Sequence, residues 1–173
     1  MNLEQIAIFT LNNVQMLLEQ SKLPLAVGPI SDSDFQALST NYAELNWDFA
    51  FAEYGNNPDR FEFCVKLLSD ANPLPAGAAI CIYNVGTNSF EIMFVESFVR
   101  NMSDHPLHGR MLLITLLAAY IFCSAVDCDL IHVIEPVNAE VIALYRSFGF
   151  VGDNILMSAS RAKLRDAVLS YNL

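Results

Sequence analysis

Sixteen consecutive uncharged residues, from Met111 to Val126, stand between Arg110 and Asp127 and limit how this chain can fold. A membrane-spanning helix needs about 20 apolar residues, so this run is too short to cross a bilayer. A helix that is apolar on all sides must instead be covered by the rest of the protein. The sequence therefore predicts a buried helix, from Met111 to about Ala125, packed on one face of a sheet.

The remaining apolar residues predict a mixture of helices and strands. Helical spacing predicts a first helix over residues 3–20, which Pro24 ends. Ser31 and Asn138 are residue types that cap helices, and Gly149 is a typical helix end. In chain order, the further predicted elements are a strand at 25–30, helices after Ser31 and at 60–68, strands at 77–84 and 89–99, a strand at 130–134, a helix at 139–148, a strand at 150–158 and a helix at 160–170.

This order of elements predicts one domain of the α/β (α+β) class. We expect a central mixed β-sheet flanked by helices, with a parallel crossover through the apolar helix. Within residues 1–173, the predicted parts are an N-terminal helical extension at 1–23, a core at 24–158 and a C-terminal helix at 159–173.

Composition and charge restrict the classes of partner that the protein is expected to bind. Nineteen acidic residues against nine basic ones give a net charge of −10, which argues against binding to nucleic acid phosphates. The charge is compatible with a cationic amine as substrate, or it serves solubility alone. Hydrophobic residues make up 54% and charged residues 16% of the chain, whereas an average domain has about 25% charged residues. The apolar surplus is compatible with a homodimer.

The cysteines show no metal-binding or disulfide pattern. Cys64, Cys81, Cys123 and Cys128 form no CxxC pair and no zinc spacing, so buried free thiols and no metal are expected. The first residues lack the basic region of a signal peptide and carry Glu4 instead. We therefore expect a cytoplasmic protein that does not act at a membrane.

Gly109 precedes the apolar helix and marks the first candidate site. The free N–H groups at a helix start attract anions, and a glycine lets a phosphate approach the backbone closely. A simple turn before the helix is the alternative interpretation.

Four segments resemble the GNAT superfamily of acyl-coenzyme A-dependent N-acyltransferases. The first strand and helix of that fold are similar to LAVGPISDSDFQAL at 25–38, and its fourth strand looks like residues 89–99. The family's pyrophosphate loop, Q/R-x-x-G-x-G/A, corresponds to HPLHGRMLL at 105–113. The family's Asn, Tyr and Gly-Phe pattern matches NAEVIALYRSFGF at 138–150, the most specific of the four segments. The resemblance covers residues 25–158 and implies a GNAT-like sheet with an added N-terminal helix.

The resemblance implies acetyl-coenzyme A, or another acyl-coenzyme A, as co-substrate. The loop departs from the family: Pro106 replaces Gln or Arg, and Met111 replaces the second small residue. Met111 would crowd the pyrophosphate unless its side chain turns into the core. The residues that the resemblance assigns to coenzyme binding are Phe98, Val99, Leu107, His108, Gly109, Arg110, Met111 and Asn138.

The resemblance also implies an acid and a base. Tyr145 occupies the position of the family's tyrosine, which protonates the leaving thiolate; the alternative is a packed aromatic on a helix face. Glu96 is the candidate base and Glu91 the reserve, with a rim carboxylate as the alternative for each. Since alternate residues of a strand face opposite sides, both glutamates can face the substrate only if a bulge lies between them.

The function implied is N-acyl transfer, with acetyl as the expected group, from coenzyme A to a primary amine of a small molecule or peptide. The alternative function is that of a catalytically degenerate GNAT-like binding or interaction protein, since only Gly109 of the loop motif is kept.

Overall fold

A mixed β-sheet forms the centre of the molecule. A computed structural model of the protein describes residues 1–40, 42–54, 57–70 and 72–173, and gives residues 51–54 as backbone alone. In chain order the elements are α1 (Leu3–Gln20), β1 (Leu25–Gly28), α2 (Asp32–Leu38), α3 (Trp47–Tyr54), β2 (Arg60–Ser69), β3 (Asn72–Asn84), β4 (Ser89–Ser97), α4 (Met111–Ala125), β5 (Leu130–Ile134), α5 (Ala139–Ser147), β6 (Val151–Gly152), β7 (Leu156–Ser160) and α6 (Arg161–Leu169).

The sheet has one parallel step. Among the described residues, seven strands lie in the order β1-β2-β3-β4-β5-β7-β6. Strands β4 and β5 are parallel, and the other neighbouring pairs are antiparallel. Helix α4 connects the parallel pair, as the sequence predicts. The predicted fold class, a mixed sheet flanked by helices with an added N-terminal helix, is confirmed.

The apolar helix is buried as predicted. Nine of the 15 residues of α4 are buried, and the helix contacts β3, β4, α1 and α6. Helix α1 covers α4 and β1 with its own apolar side, where Val14 and Leu18 are fully buried. Among the described helices, none has the length and apolarity that a membrane crossing requires.

The two faces of the sheet carry separate cores. On β3, Ala79 and Cys81 face the large core formed with α1, α4, α5 and α6. Ala78 and Ile80 face the other side and pack with Leu38 and Trp47 of the α2–α3 region. This alternation along one central strand explains why β3 is buried on both faces.

The capping residues set the helix ends. Helix α1 spans the predicted residues 3–20, and the Asn2 side chain caps it through a reciprocal pair with Gln5. Ser31 and Asp34 form the same kind of capping box at α2. Asn138 caps α5, accepting a hydrogen bond from the Val141 N–H at 2.9 Å.

The helix predicted at 60–68 is wrong, because these residues form strand β2. Phe63, Val65 and Leu67 are buried at every second position, which is the period of a strand rather than a helix. Pairing decides the outcome: β2 lies between β1 and β3 and forms ladders with both.

The single strand predicted at 150–158 is also wrong. The chain forms two short antiparallel strands, β6 and β7. Between them, the Asp153 carboxylate accepts hydrogen bonds from the N–H groups of Ile155 and Leu156 at 2.9 and 3.1 Å, which closes a turn. Gly152 has φ +142° and lies against the backbone of Leu156, where a side chain would not fit.

Candidate functional site

Strands β4 and β5 separate part-way along their length. Their register runs from Ser89 opposite Leu130 to Ile92 opposite Val133. Beyond that pair, β4 continues to Ser97 and β5 to Ile134. The backbones of two diverging parallel strands can bind an extended ligand between them.

A cavity of about 590 Å³ lies where these strands diverge, a volume within the usual range of about 300–1,000 Å³ for ligand pockets. It reaches from the strands to the N-terminus of α4 and to one side of α5. The residues that shape it include Val95, Ser97, Gly109, Met111, Glu135 and Tyr145.

The N-terminus of α4 opens into this cavity. Arg110 is the N-cap, but its side chain makes no capping hydrogen bond, so among the described residues no side chain accepts from the first N–H groups of the helix. Gly109 has φ +72°, and apart from its chain neighbours no described atom lies within 4 Å of the position that a side chain would take. The backbone at Gly109 is therefore accessible, as an anion site requires.

Met111 does not obstruct this approach. Its side chain turns into the core, where the residue is 4% exposed. Gly77 on β3 makes room for it: a methyl group at Gly77 would lie 2.5 Å from the Met111 sulfur and 2.8 Å from Leu107 Cδ2. Of the two outcomes considered from the sequence, the structure shows the one that leaves the helix start open.

Tyr145 lies on the cavity wall with its hydroxyl unbonded. The residue is 3% exposed, and its ring meets Phe150 edge-on, with centroids 5.4 Å apart. Among the described residues, none forms a hydrogen bond with the hydroxyl. Burial raises the pKa of Tyr145 well above its ordinary value, and Cys81 adds to the rise. The phenol therefore keeps its proton at neutral pH.

Glu96 is held outside the cavity wall. Its carboxylate accepts hydrogen bonds from the backbone N–H groups of Glu44 and Leu45, at 2.8 and 3.0 Å, and from the indole of Trp47 at 2.9 Å. The residue is 5% exposed. These bonds fasten the loop between α2 and α3 to β4, so Glu96 has an evident structural role.

A bulge brings Glu91 and Glu96 to the same face of the sheet. Glu91 pairs with Ile82 and Glu96 with Ala78, with the register shift between them. The partners are four residues apart on β3, so both glutamates face one side. Glu91 stands opposite His132 on β5 and is not part of the cavity wall.

Several solved structures with a similar fold are N-acetyltransferases. A chimera of the Vibrio cholerae spermidine N-acetyltransferase SpeG and hSSAT superposes with a TM-score of 0.59 at 13% identity, covering 83% of this chain and 99% of its own. The ribosomal-protein-S18-alanine N-acetyltransferase of Escherichia coli gives 0.53 at 14% identity, covering 79% and 93%. The PaiA N-acetyltransferase of Thermoplasma acidophilum, in complex with coenzyme A, gives 0.53 at 12% identity, covering 79% and 98%. No protein-family model and no curated sequence matches the chain.

This chain has the GNAT fold. The resemblance inferred from four sequence segments is thereby confirmed at the level of the fold.

The GNAT-like cavity gathers part of the predicted site. Gly109, His108, Met111 and Tyr145 lie on its wall, and Arg110 borders an adjoining cavity. The other predicted residues are engaged elsewhere: Phe98 packs on Tyr42 with centroids 4.8 Å apart, Val99 and Leu107 belong to the large core, and the Asn138 side chain caps α5.

Sequence reasoning missed polar residues of this GNAT-like cavity. Ser97 lies on its wall with a buried hydroxyl that has no hydrogen-bond partner among the described residues. Glu135 lines the wall in a left-handed conformation, φ +48°, directly before Pro136, and such strain in a non-glycine residue is concentrated at functional sites. Glu135 could have been found from the sequence, because a charged residue at the carboxyl end of a predicted parallel strand suggests a ligand site. Nothing in the sequence marks Ser97.

We expect Glu96→Gln to lower the free energy of unfolding by about 1–3 kcal/mol, because the amide offers one acceptor oxygen to three donors and leaves buried N–H groups unpaired. Urea titration with fluorescence detection measures this loss. Glu91→Gln is the matched control on the same strand and face, and we expect it to change stability by less than about 0.5 kcal/mol. Equal effects of the two changes would contradict the anchoring role of Glu96.

Proposed function

We propose that this protein transfers an acyl group, most simply acetyl, from coenzyme A to a primary amine. The observation that carries the proposal is one cavity in which diverging parallel strands, an open helix N-terminus and the unbonded hydroxyl of Tyr145 meet. The solved N-acetyltransferases of the same fold support it.

The cavity fits the parts of an acyl-coenzyme A. Its pyrophosphate would be held by the N–H groups from Gly109 into the first turn of α4, where the space over Gly109 is open. The hydroxyl of Ser97, buried and unpaired among the described residues, would serve the amides of the pantetheine arm. When bound, the co-substrate supplies an activated thioester.

Tyr145 is the proposed acid. The transfer forms a bond between the amine nitrogen and the acyl carbon and breaks the bond from that carbon to sulfur, so the leaving thiolate needs a proton. Tyr145 lines the cavity, and its hydroxyl has no competing hydrogen bond with a described residue, so the phenol is available to donate to the leaving sulfur.

The acidic wall supports an amine as acceptor. Glu135 and Glu140 both line the cavity, and neither forms an ion pair with a described residue. In contrast, Arg100 on the same wall is paired with Glu44. Two unpaired carboxylates favour a cationic group. We propose that Glu135 takes up the proton of the acceptor amine, since Glu96, the candidate from the sequence, already accepts three hydrogen bonds.

Gly109→Val tests the coenzyme site. The β-branched side chain would fill the space at the helix start, so acetyl-coenzyme A should no longer raise the melting temperature. At 100 times its dissociation constant, the ligand should stabilise the wild type by about 2.7 kcal/mol. Valine at this positive φ should itself lower stability by about 1–3 kcal/mol.

Lys22→Val is the control for strain, since Lys22 has φ 56° at the exposed end of α1. It should lose comparable stability and keep the thermal shift. If acetyl-coenzyme A at millimolar concentration fails to shift the wild type, a GNAT-like binding protein without coenzyme becomes the better description.

Tyr145→Phe should lower turnover at least tenfold, since general acids contribute about 10²–10⁴-fold. Stability should change little because the hydroxyl pairs with no described residue. Thioester cleavage with a primary amine acceptor measures turnover. Tyr83→Phe is the control: it removes a hydroxyl bonded to Asn88 at 2.9 Å, so it should lower stability by about 0.5–1.5 kcal/mol and spare turnover. Full turnover in Tyr145→Phe would reduce Tyr145 to a packing role.

Glu135→Gln should lower turnover by about 10²-fold and move the rising limb of the pH–rate profile to higher pH, because the amine would have to lose its proton to solvent. Initial rates between pH 6 and 10 measure the shift, because a primary amine loses its proton near the upper end of this range. Glu140→Gln removes a charge from the same wall and should leave the profile in place. An unchanged profile for Glu135→Gln would exclude it as the base.

A further inference from the structure

A second cavity adjoins the first around the start of α4. Its volume is about 330 Å³, and it shares His108, Gly109 and Leu144 with the larger cavity. A ligand that crosses the helix start can therefore occupy both. The far side of the second cavity is formed by Phe148 and by Tyr171, near the C-terminal end of the chain.

Two aromatic rings form one wall of this second cavity. Phe148, at the end of α5, is 3% exposed, and Tyr171 covers it with ring centroids 4.7 Å apart and an interplanar angle of 34°. Tyr171 itself is 43% exposed. One side of its ring thus rests on a buried aromatic, while much of the remaining ring surface is free to contact a planar ligand.

The segment that carries Tyr171 is tied to the rest of the protein. Helix α6 is capped by Ser160 and buries Leu164 and Val168 in the large core. After Tyr171, Leu173 also packs against that core. The tyrosine therefore lies between two points of attachment.

Positive charge is available at the same cavity although the protein carries a net charge of −10. Arg110 carries this charge and lines the cavity together with His108. Arg110 donates one hydrogen bond to the Pro106 carbonyl, at 2.9 Å, and forms no ion pair with a described residue. A guanidinium has five N–H donors, so most remain for an anion such as a phosphate.

From these observations we infer that Tyr171 is a stacking platform for the adenine of coenzyme A, with Arg110 and His108 beside the nucleotide phosphates. The inference rests on the proposed function and deepens it. The nucleotide would bind on the segment 159–173, which lies outside the part of the sequence that resembles the GNAT superfamily. The second cavity would thereby anchor the co-substrate without taking part in the chemistry.

The experiment compares two thioesters on the full-length protein. We expect Tyr171→Ala to weaken binding of acetyl-coenzyme A by about 5- to 150-fold, the range that stacking of one base on an aromatic ring supplies. Binding of a pantetheine thioester, which lacks the nucleotide, should stay within about twofold of the wild type on the same stacking argument. Calorimetry measures both affinities, and steady-state rates should show a raised KM for acetyl-coenzyme A with kcat unchanged.

Two control variants separate stacking from folding. Tyr171→Phe keeps the ring and should keep the affinity, whereas Leu169→Ala changes a residue of α6 that is 73% exposed and outside the cavity wall and should have no effect. If Tyr171→Ala leaves the affinity for acetyl-coenzyme A unchanged, or lowers the affinity for both thioesters equally, the stacking inference is wrong while the proposed function stands. A wild-type protein that binds neither thioester would overturn the proposed function, and this inference with it.

Discussion

The fold depends on covering helix α4, whose 15 residues carry no charge. The sheet, α1 and α6 supply that cover. Because α4 joins the two parallel strands, its first residues lie beside the cavity between β4 and β5. Met111 shows both consequences in one residue: its side chain is buried over Gly77, while it begins the helix whose free N–H groups face the cavity.

The polar groups on the cavity wall have fewer hydrogen-bond partners than the buried Glu96 outside it. Outside it, Glu96 is a buried carboxylate with three donors, as a buried charge requires. On the cavity wall, the hydroxyls of Ser97 and Tyr145 have no partner among the described residues, and Glu135 has a strained backbone. Unsatisfied and strained groups lower stability, and a ligand in the cavity could complete the interactions of Ser97 and Tyr145. Such groups also lie outside the cavity, at Ser39 and at the left-handed residues Lys22, Asn88 and Asp127.

The charge distribution divides the proposed site into two parts. Arg110 and His108 stand at the start of α4, where a polyanionic co-substrate would enter. Glu135 and Glu140 line the larger cavity beyond the end of β5, where a cationic acceptor would be drawn. An acidic protein can still bind an anion at such a place. Salt screens the distant acidic residues, so the nearby arginine and the helix N–H groups dominate the interaction with the anion.

The sequence by itself determined the elements with local signals. Helix α4 follows from its uncharged run, α1 from its spacing and from Pro24, and the turn before α4 from Gly109. These depend on neighbours within a few residues. The apolar residues Phe61, Phe63, Val65 and Leu67 also form a local signal, because they recur at every second position as in a strand, and the predicted helix at 60–68 ignored it. Only the tertiary structure decided that β2 lies between β1 and β3. It alone also gave Glu96 its three donors and set Tyr171 on Phe148: both depend on contacts between residues far apart in the chain, which no local pattern encodes.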